Sequence, residues 1–138
     1  MTETIEPDRL FLSLSAEPEN IGAVRAAVDR AACGFGMHGR ARDDLKTLVS
    51  EACANVVLHA YADDEADRPL EIEVARQSEA IEVTVRDHGH GVSARPGPKP
   101  SSLRLGLLLV GAMASSFQLR SVRGRGTELR AMVAFETA

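Results

Sequence analysis

Between Leu70 and Arg86 the chain keeps a strict period of two. Leu70, Ile72 and Val74 alternate with Glu71, Glu73 and Ala75, and Ile81, Val83 and Val85 alternate with Glu82, Thr84 and Arg86. That is the strand period, and the short polar link Gln77-Ser78-Glu79 makes the two segments an antiparallel hairpin with one apolar face. The pattern returns in Phe117-Leu119-Ser121 and Thr127-Leu129-Ala131-Val133-Phe135, joined by the glycine turn Arg123-Gly124-Arg125-Gly126. An apolar sheet face has to be covered by another layer. Helical spacing supplies it: Ile21, Val24, Val28, Ala31 and Phe35 form one face, with Pro18 near the start and Gly34 and Gly36 at the stop. A second helix is expected to open around Asp43-Asp44, with Leu45, Leu48, Val49, Ala52 and Val56 as its core face, and to run out near Tyr61. Leu10, Leu12 and Leu14 read as one further strand, and residues 105–115 as a third helix. The result is an α+β chain, a two-layer sandwich with helices on one face of a mostly antiparallel sheet. A doubly wound parallel fold would need strand and helix to alternate throughout.

At 138 residues this is a single domain, 1–138, large enough to hold a core without disulfides or a structural metal. Residues 1–9 lack any apolar pattern and are expected to form a flexible tail. Residues 92–103 carry Pro96, Pro98 and Pro100, which exclude a regular helix or a central strand and leave a loop. A net charge of −4 argues against direct nucleic-acid binding, which needs a basic face. With no apolar run of membrane length and no signal-like segment, no membrane association and a cytoplasmic location are expected. Cys33 and Cys53 sit in Ala-rich apolar runs and read as small buried hydrophobes.

Three constellations carry chemistry. Glu51, Asn55 and His59, at spacing i, i+4, i+8, form a polar stripe bordering the apolar face of the second helix. Half-buried acceptors there need a partner such as a divalent cation or a proton-bearing substrate, or else a neighbouring loop. Asp87 continues the buried register of Ile81-Val83-Val85. A buried carboxylate must meet donors, either the amides of a turn or an amino group on a planar heterocycle, and Gly89 and Gly91 let the backbone come close to such a flat ligand. Finally, Leu105-Gly106-Leu107 opens the third helix, and its free amides with Arg95, Lys99 and Arg104 suit a phosphate, the plain alternative being a solvated basic loop.

Two patterns fail on context. Gly34-Phe35-Gly36-Met37-His38-Gly39 has dinucleotide spacing but ends a helix, and Gly89-His90-Gly91-Val92-Ser93-Ala94 runs into prolines where a helix should start. The histidines and cysteines lack zinc-ligand spacing.

Glu51-x-x-x-Asn55 with His59-Ala60-Tyr61, then Asp87-x-Gly89-x-Gly91, then Leu105-Gly106-Leu107, then Gly124-x-Gly126-Thr127 together resemble the nucleotide boxes of the histidine-kinase-like (GHKL, Bergerat-fold) ATPases. The size and the His-Ala-Tyr form are similar to the stand-alone anti-sigma factors that double as serine/threonine protein kinases. The resemblance implies the Bergerat fold, ATP and Mg²⁺ as cofactors, and a sigma factor and an anti-sigma-factor antagonist as partners, the antagonist being the protein substrate. It leaves a homodimer open. It implies that Glu51 is the general base and Asn55 the Mg²⁺ ligand, and that Asp87 accepts from the adenine amino group. Gly89 and Gly91 would shape the adenine wall, with Thr127 supporting it. Residues 92–103 would form the ATP lid, with Arg104, Gly106 and Leu107 at the phosphates. The family pattern there is Gly-Leu-Gly-Leu, and Arg104 replaces its first glycine. That departure leaves a second function class open, a non-catalytic interaction module that keeps the fold and regulates by binding alone. A sensor histidine kinase or a multidomain ATPase would need segments this length does not accommodate.

Overall fold

The computed structural model describes residues 1–89, 110–122 and 126–136. Strands β1 (Thr2–Glu6) and β2 (Arg9–Ser15) are followed by helices α1 (Ile21–Gly34) and α2 (Gly39–His59). Strands β3 (Pro69–Arg76), β4 (Ala80–Asp87), β5 (Ser116–Val122) and β6 (Gly126–Ala134) complete the order. A 3-10 turn over Pro18–Asn20 leads into α1, and residues 110–113 are helical just ahead of β5. The strands form one sheet in the order β1-β2-β3-β4-β6-β5, each neighbouring pair antiparallel.

Register places the alternating residues on one face. Leu10, Leu12 and Leu14 stand opposite Val74, Ile72 and Leu70, which stand opposite Val83, Val85 and Asp87, while Val83 and Val85 meet Ala131 and Leu129. The helices cover this face with Val24, Ala27, Val28 and Ala32 from α1 and Leu45, Leu48, Val49, Ala52, Cys53 and Val56 from α2. The opposite face needs no cover because it is ionic. Arg9, Glu73, Arg86 and Glu128 pair in succession across β2, β3, β4 and β6, and Arg120 and Arg130 also reach Glu128.

Three expectations are corrected. Residues 1–9 are not a tail: Thr2 to Glu6 pair with Ser13 to Arg9 as an edge strand. All five β1 residues are exposed, so backbone ladder bonds hold them and no buried alternation could announce them. Helix α2 starts at Gly39, ahead of Asp43-Asp44, because its first turn is capped from far away: Glu136 Oε1 accepts the Ala41 N–H at 3.2 Å. Cys33 is exposed, lying beyond the buried face of α1, whereas Cys53 is buried.

Candidate functional site

The C-terminal end of α2 meets the C-terminal end of β4. Asp87 is 7% exposed, in line with the apolar residues of its strand. Its Oδ1 accepts the Gly89 N–H at 2.9 Å and, from the neighbouring strand, the Thr127 N–H at 3.2 Å. Burial pushes its carboxyl above the ordinary value of 3.8, and those two amides pull in the opposite direction. Both bonds fall on Oδ1, so Oδ2 is without a partner among the described residues.

The turn after Asp87 is packed against backbone on two sides. A Cβ at Gly89 would lie 2.0 Å from the Ala60 carbonyl oxygen, and one at Gly126, which has φ +100°, would lie 2.1 Å from the Asp87 carbonyl oxygen. Only glycine permits either approach. Tyr61, one residue beyond Ala60, is buried, donates to the Pro69 carbonyl and accepts the His88 N–H at 2.8 Å. Desolvation pushes its hydroxyl up to about 12. The exposed His88 ring contacts Glu71 Oε1 at 2.9 Å.

Further up α2, Glu51 and Asn55 are half-buried on the edge of the core face, as their spacing requires. Glu51 makes no hydrogen bond or ion pair among the described residues. Asn55 Nδ2 is buried and has no hydrogen-bond partner among the described residues. A buried, unsatisfied carboxamide costs stability, and it fits an absent group rich in oxygen: the amide can donate to a phosphate oxygen or, turned by 180°, offer its oxygen to a cation. Among the described residues no three His, Cys, Asp or Glu side chains cluster, so a cation here would be shared with ligand oxygens. Cys53 is no nucleophile, since burial pushes its thiol up to about 12.

Asp87, Gly89 and Thr127 are thus brought together against the end of α2, the helix that carries Glu51 and Asn55. Gly91, Arg104, Gly106, Leu107 and the loop 92–103 lie outside the described residues. Sequence reasoning gave no role to Tyr61, Gly126 or the Ala60 carbonyl. The signals for Tyr61 were its place in the His59-Ala60-Tyr61 motif and its being the chain's single tyrosine, at the end of an apolar helix face.

The sequence profile described as the histidine kinase-like ATPase domain matches residues 14–133. The chain belongs to the histidine kinase-like ATPase domain family. Among its relatives is the serine-protein kinase RsbW of Bacillus velezensis, 37% identical over 82 residues, which are 59% of this chain and 51% of that one. The serine-protein kinase RsbW of Listeria monocytogenes serovar 1/2a is 35% identical over 82 residues, 59% of this chain and 52% of that one. The chain therefore spans about half the length of these curated relatives. The RsbU and RsbW domains of Rv1364c from Mycobacterium tuberculosis superpose with a TM-score of 0.75 at 21% identity, covering 94% of this chain and 33% of that one. The histidine kinase domain of the blue-light activated kinase EL346 from Erythrobacter litoralis gives 0.56 at 20% identity, covering 85% and 60%. At these identities the structural likeness establishes the family fold alone, an antiparallel sheet with helices on one face. Among the described residues no helix is long and apolar enough to cross a membrane.

Proposed function

We propose that the chain binds ATP with Mg²⁺ at the seam between α2 and the β4–β6 end of the sheet. There it transfers the γ-phosphoryl group to a serine or threonine hydroxyl of a small antagonist protein, and it also holds a sigma factor in a cytoplasmic partner-switching pathway. The observation that carries this reading is Asn55 Nδ2, a buried donor one turn along α2 from the Glu51 carboxylate, neither having a partner among the described residues. The fold tolerates such an atom if a ligand satisfies it.

Asp87 accepts from the adenine amino group through Oδ2, its Oδ1 being engaged by Gly89 and Thr127. Gly89 and Gly91 admit the flat base, Thr127 supports it, and Asn55 holds the phosphate end. Asn55 would hold Mg²⁺ together with ligand oxygens, and the ion would offset charge developing on the phosphates. Glu51 takes the proton of the attacking hydroxyl as its oxygen bonds to the γ-phosphorus, while the bond to the bridging oxygen breaks and ADP departs. The loop 92–103 with Arg104, Gly106 and Leu107 covers the phosphates.

Labelled ATP, Mg²⁺ and small antagonist proteins from the same organism test the transfer. Glu51→Gln should keep ATP affinity and lose transfer by about a hundredfold or more. Wild-type transfer in that variant contradicts the assigned role. Arg104 favours a second reading, a module that binds without transferring: it predicts intact ATP affinity and no phosphoprotein with any antagonist.

A further inference from the structure

We propose that Tyr61 is a positioning residue for purine discrimination, its hydroxyl fastening the backbone that carries Asp87 to the end of α2. This rests on the nucleotide reading above and adds a residue to it that touches no ligand. Reading an exocyclic amino group needs the Asp87 carboxylate held to a few tenths of an ångström, so whatever fixes residues 87–89 sets selectivity.

Beside the β3–β4 ladder and the contact of the His88 ring with Glu71, three kinds of contact among the described residues bear on them. The contacts of Gly89 with the Ala60 carbonyl and of Gly126 with the Asp87 carbonyl are steric; they limit approach but exert no pull. The amides of Gly89 and Thr127 orient the Asp87 side chain. The hydrogen bond that draws the turn itself toward α2 is His88 N–H to Tyr61 Oη, at 2.8 Å. The polarity of that hydroxyl is determined by its other bond. Its single proton goes to the Pro69 carbonyl, which leaves a lone pair for the His88 amide. One buried oxygen thus joins the end of α2, the first residue of β3 and the residue after β4. Removing it leaves the Pro69 carbonyl and the His88 amide without this partner and frees the turn to shift under the base.

Calorimetric titration of ATP and of ITP, which lacks the amino group, at one Mg²⁺ concentration gives the ratio of dissociation constants. Four proteins are compared: wild type, Tyr61→Phe, Asp87→Asn, and Val28→Ala as a core-destabilised control away from the site. Wild type should prefer ATP, and Asp87→Asn should erase the preference. Tyr61→Phe should reduce it by about tenfold, the worth of one net hydrogen bond. Val28→Ala should lower Tm and leave the ratio untouched. A wild-type ratio in Tyr61→Phe, with the ratio erased in Asp87→Asn, overturns the role of Tyr61 and spares the nucleotide reading. An unchanged ratio in Asp87→Asn overturns both.

Because the chain has a single tyrosine, growth on 3-fluorotyrosine places one fluorine at Tyr61 in an otherwise native protein. Its resonance should shift on saturation with ATP and shift less with ITP. Equal shifts with the two nucleotides, or none, overturn the proposal even if the phenylalanine variant does not fold.

Discussion

Asn55 is the residue at which stability and function pull apart. Its Nδ2 is buried without a partner among the described residues, so the carboxamide is a standing cost to the ligand-free fold. Replacing it with leucine, of similar size, should stabilise the ligand-free protein by about 1–2 kcal/mol, the scale of relieving a buried unsatisfied donor. The same change should abolish ATP binding. Denaturant unfolding and a calorimetric titration of one variant check both halves, and a destabilised Asn55→Leu protein that still binds ATP would contradict the reading. Asp87 behaves in a related way. Its carboxyl is raised above 3.8 by burial, so the folded state holds the proton more tightly than the unfolded chain does. The stability from this group is full below the unfolded value and is lost as pH rises through the folded one. In its ionised form Asp87 therefore costs the ligand-free protein stability and serves the ligand. ATP affinity should weaken as pH falls through the raised value, and Asp87→Asn should bind weakly with that dependence removed. Titrations at several pH values decide it.

The elements that could be read from sequence are those whose pattern is local. Leu70 to Arg86 alternate because both strands lie in the middle of the sheet with one face buried, and all five residues assigned to the core face of α2 are buried. What escaped depends on distant partners. β1 buries nothing and exists through its ladder with β2. The start of α2 is fixed by Glu136, 95 positions away from Ala41, and no window around residues 36–44 contains that information. His38, at the N-cap position, makes no side-chain cap bond. Glu136→Ala should thus cost about 1 kcal/mol, as loss of a cap does, and fray the first turn of α2. Thermal unfolding with amide exchange over residues 39–43 measures this. No loss of stability and unchanged exchange would mean the contact caps nothing.

Across the whole molecule, the candidate site gathers at one end of the sheet. Asp87 and Thr127 lie there, while two open clefts among the described residues lie at the other end, one lined by Arg76, Ala80 and Phe135 and the other by Arg40, Asp44 and Ser115. Glu51, Asn55 and Asp87 stood out in the sequence because each puts a polar group where local periodicity calls for an apolar edge or core. The Thr127 amide on Asp87, the Ala60 carbonyl against Gly89 and the Tyr61 hydroxyl on His88 are products of tertiary packing, and no spacing rule encodes them. The polar stripe on α2 and the buried acid on β4 have different chemistries, and one ligand with an amino-bearing base and a polyphosphate answers both. Thermal unfolding of the wild-type chain with ATP and Mg²⁺ at 100 times the dissociation constant tests that directly. The account predicts about 2.7 kcal/mol of added stability, reduced in Asp87→Asn and absent in Asn55→Leu. No stabilisation by ATP or ADP, with or without Mg²⁺, would contradict it.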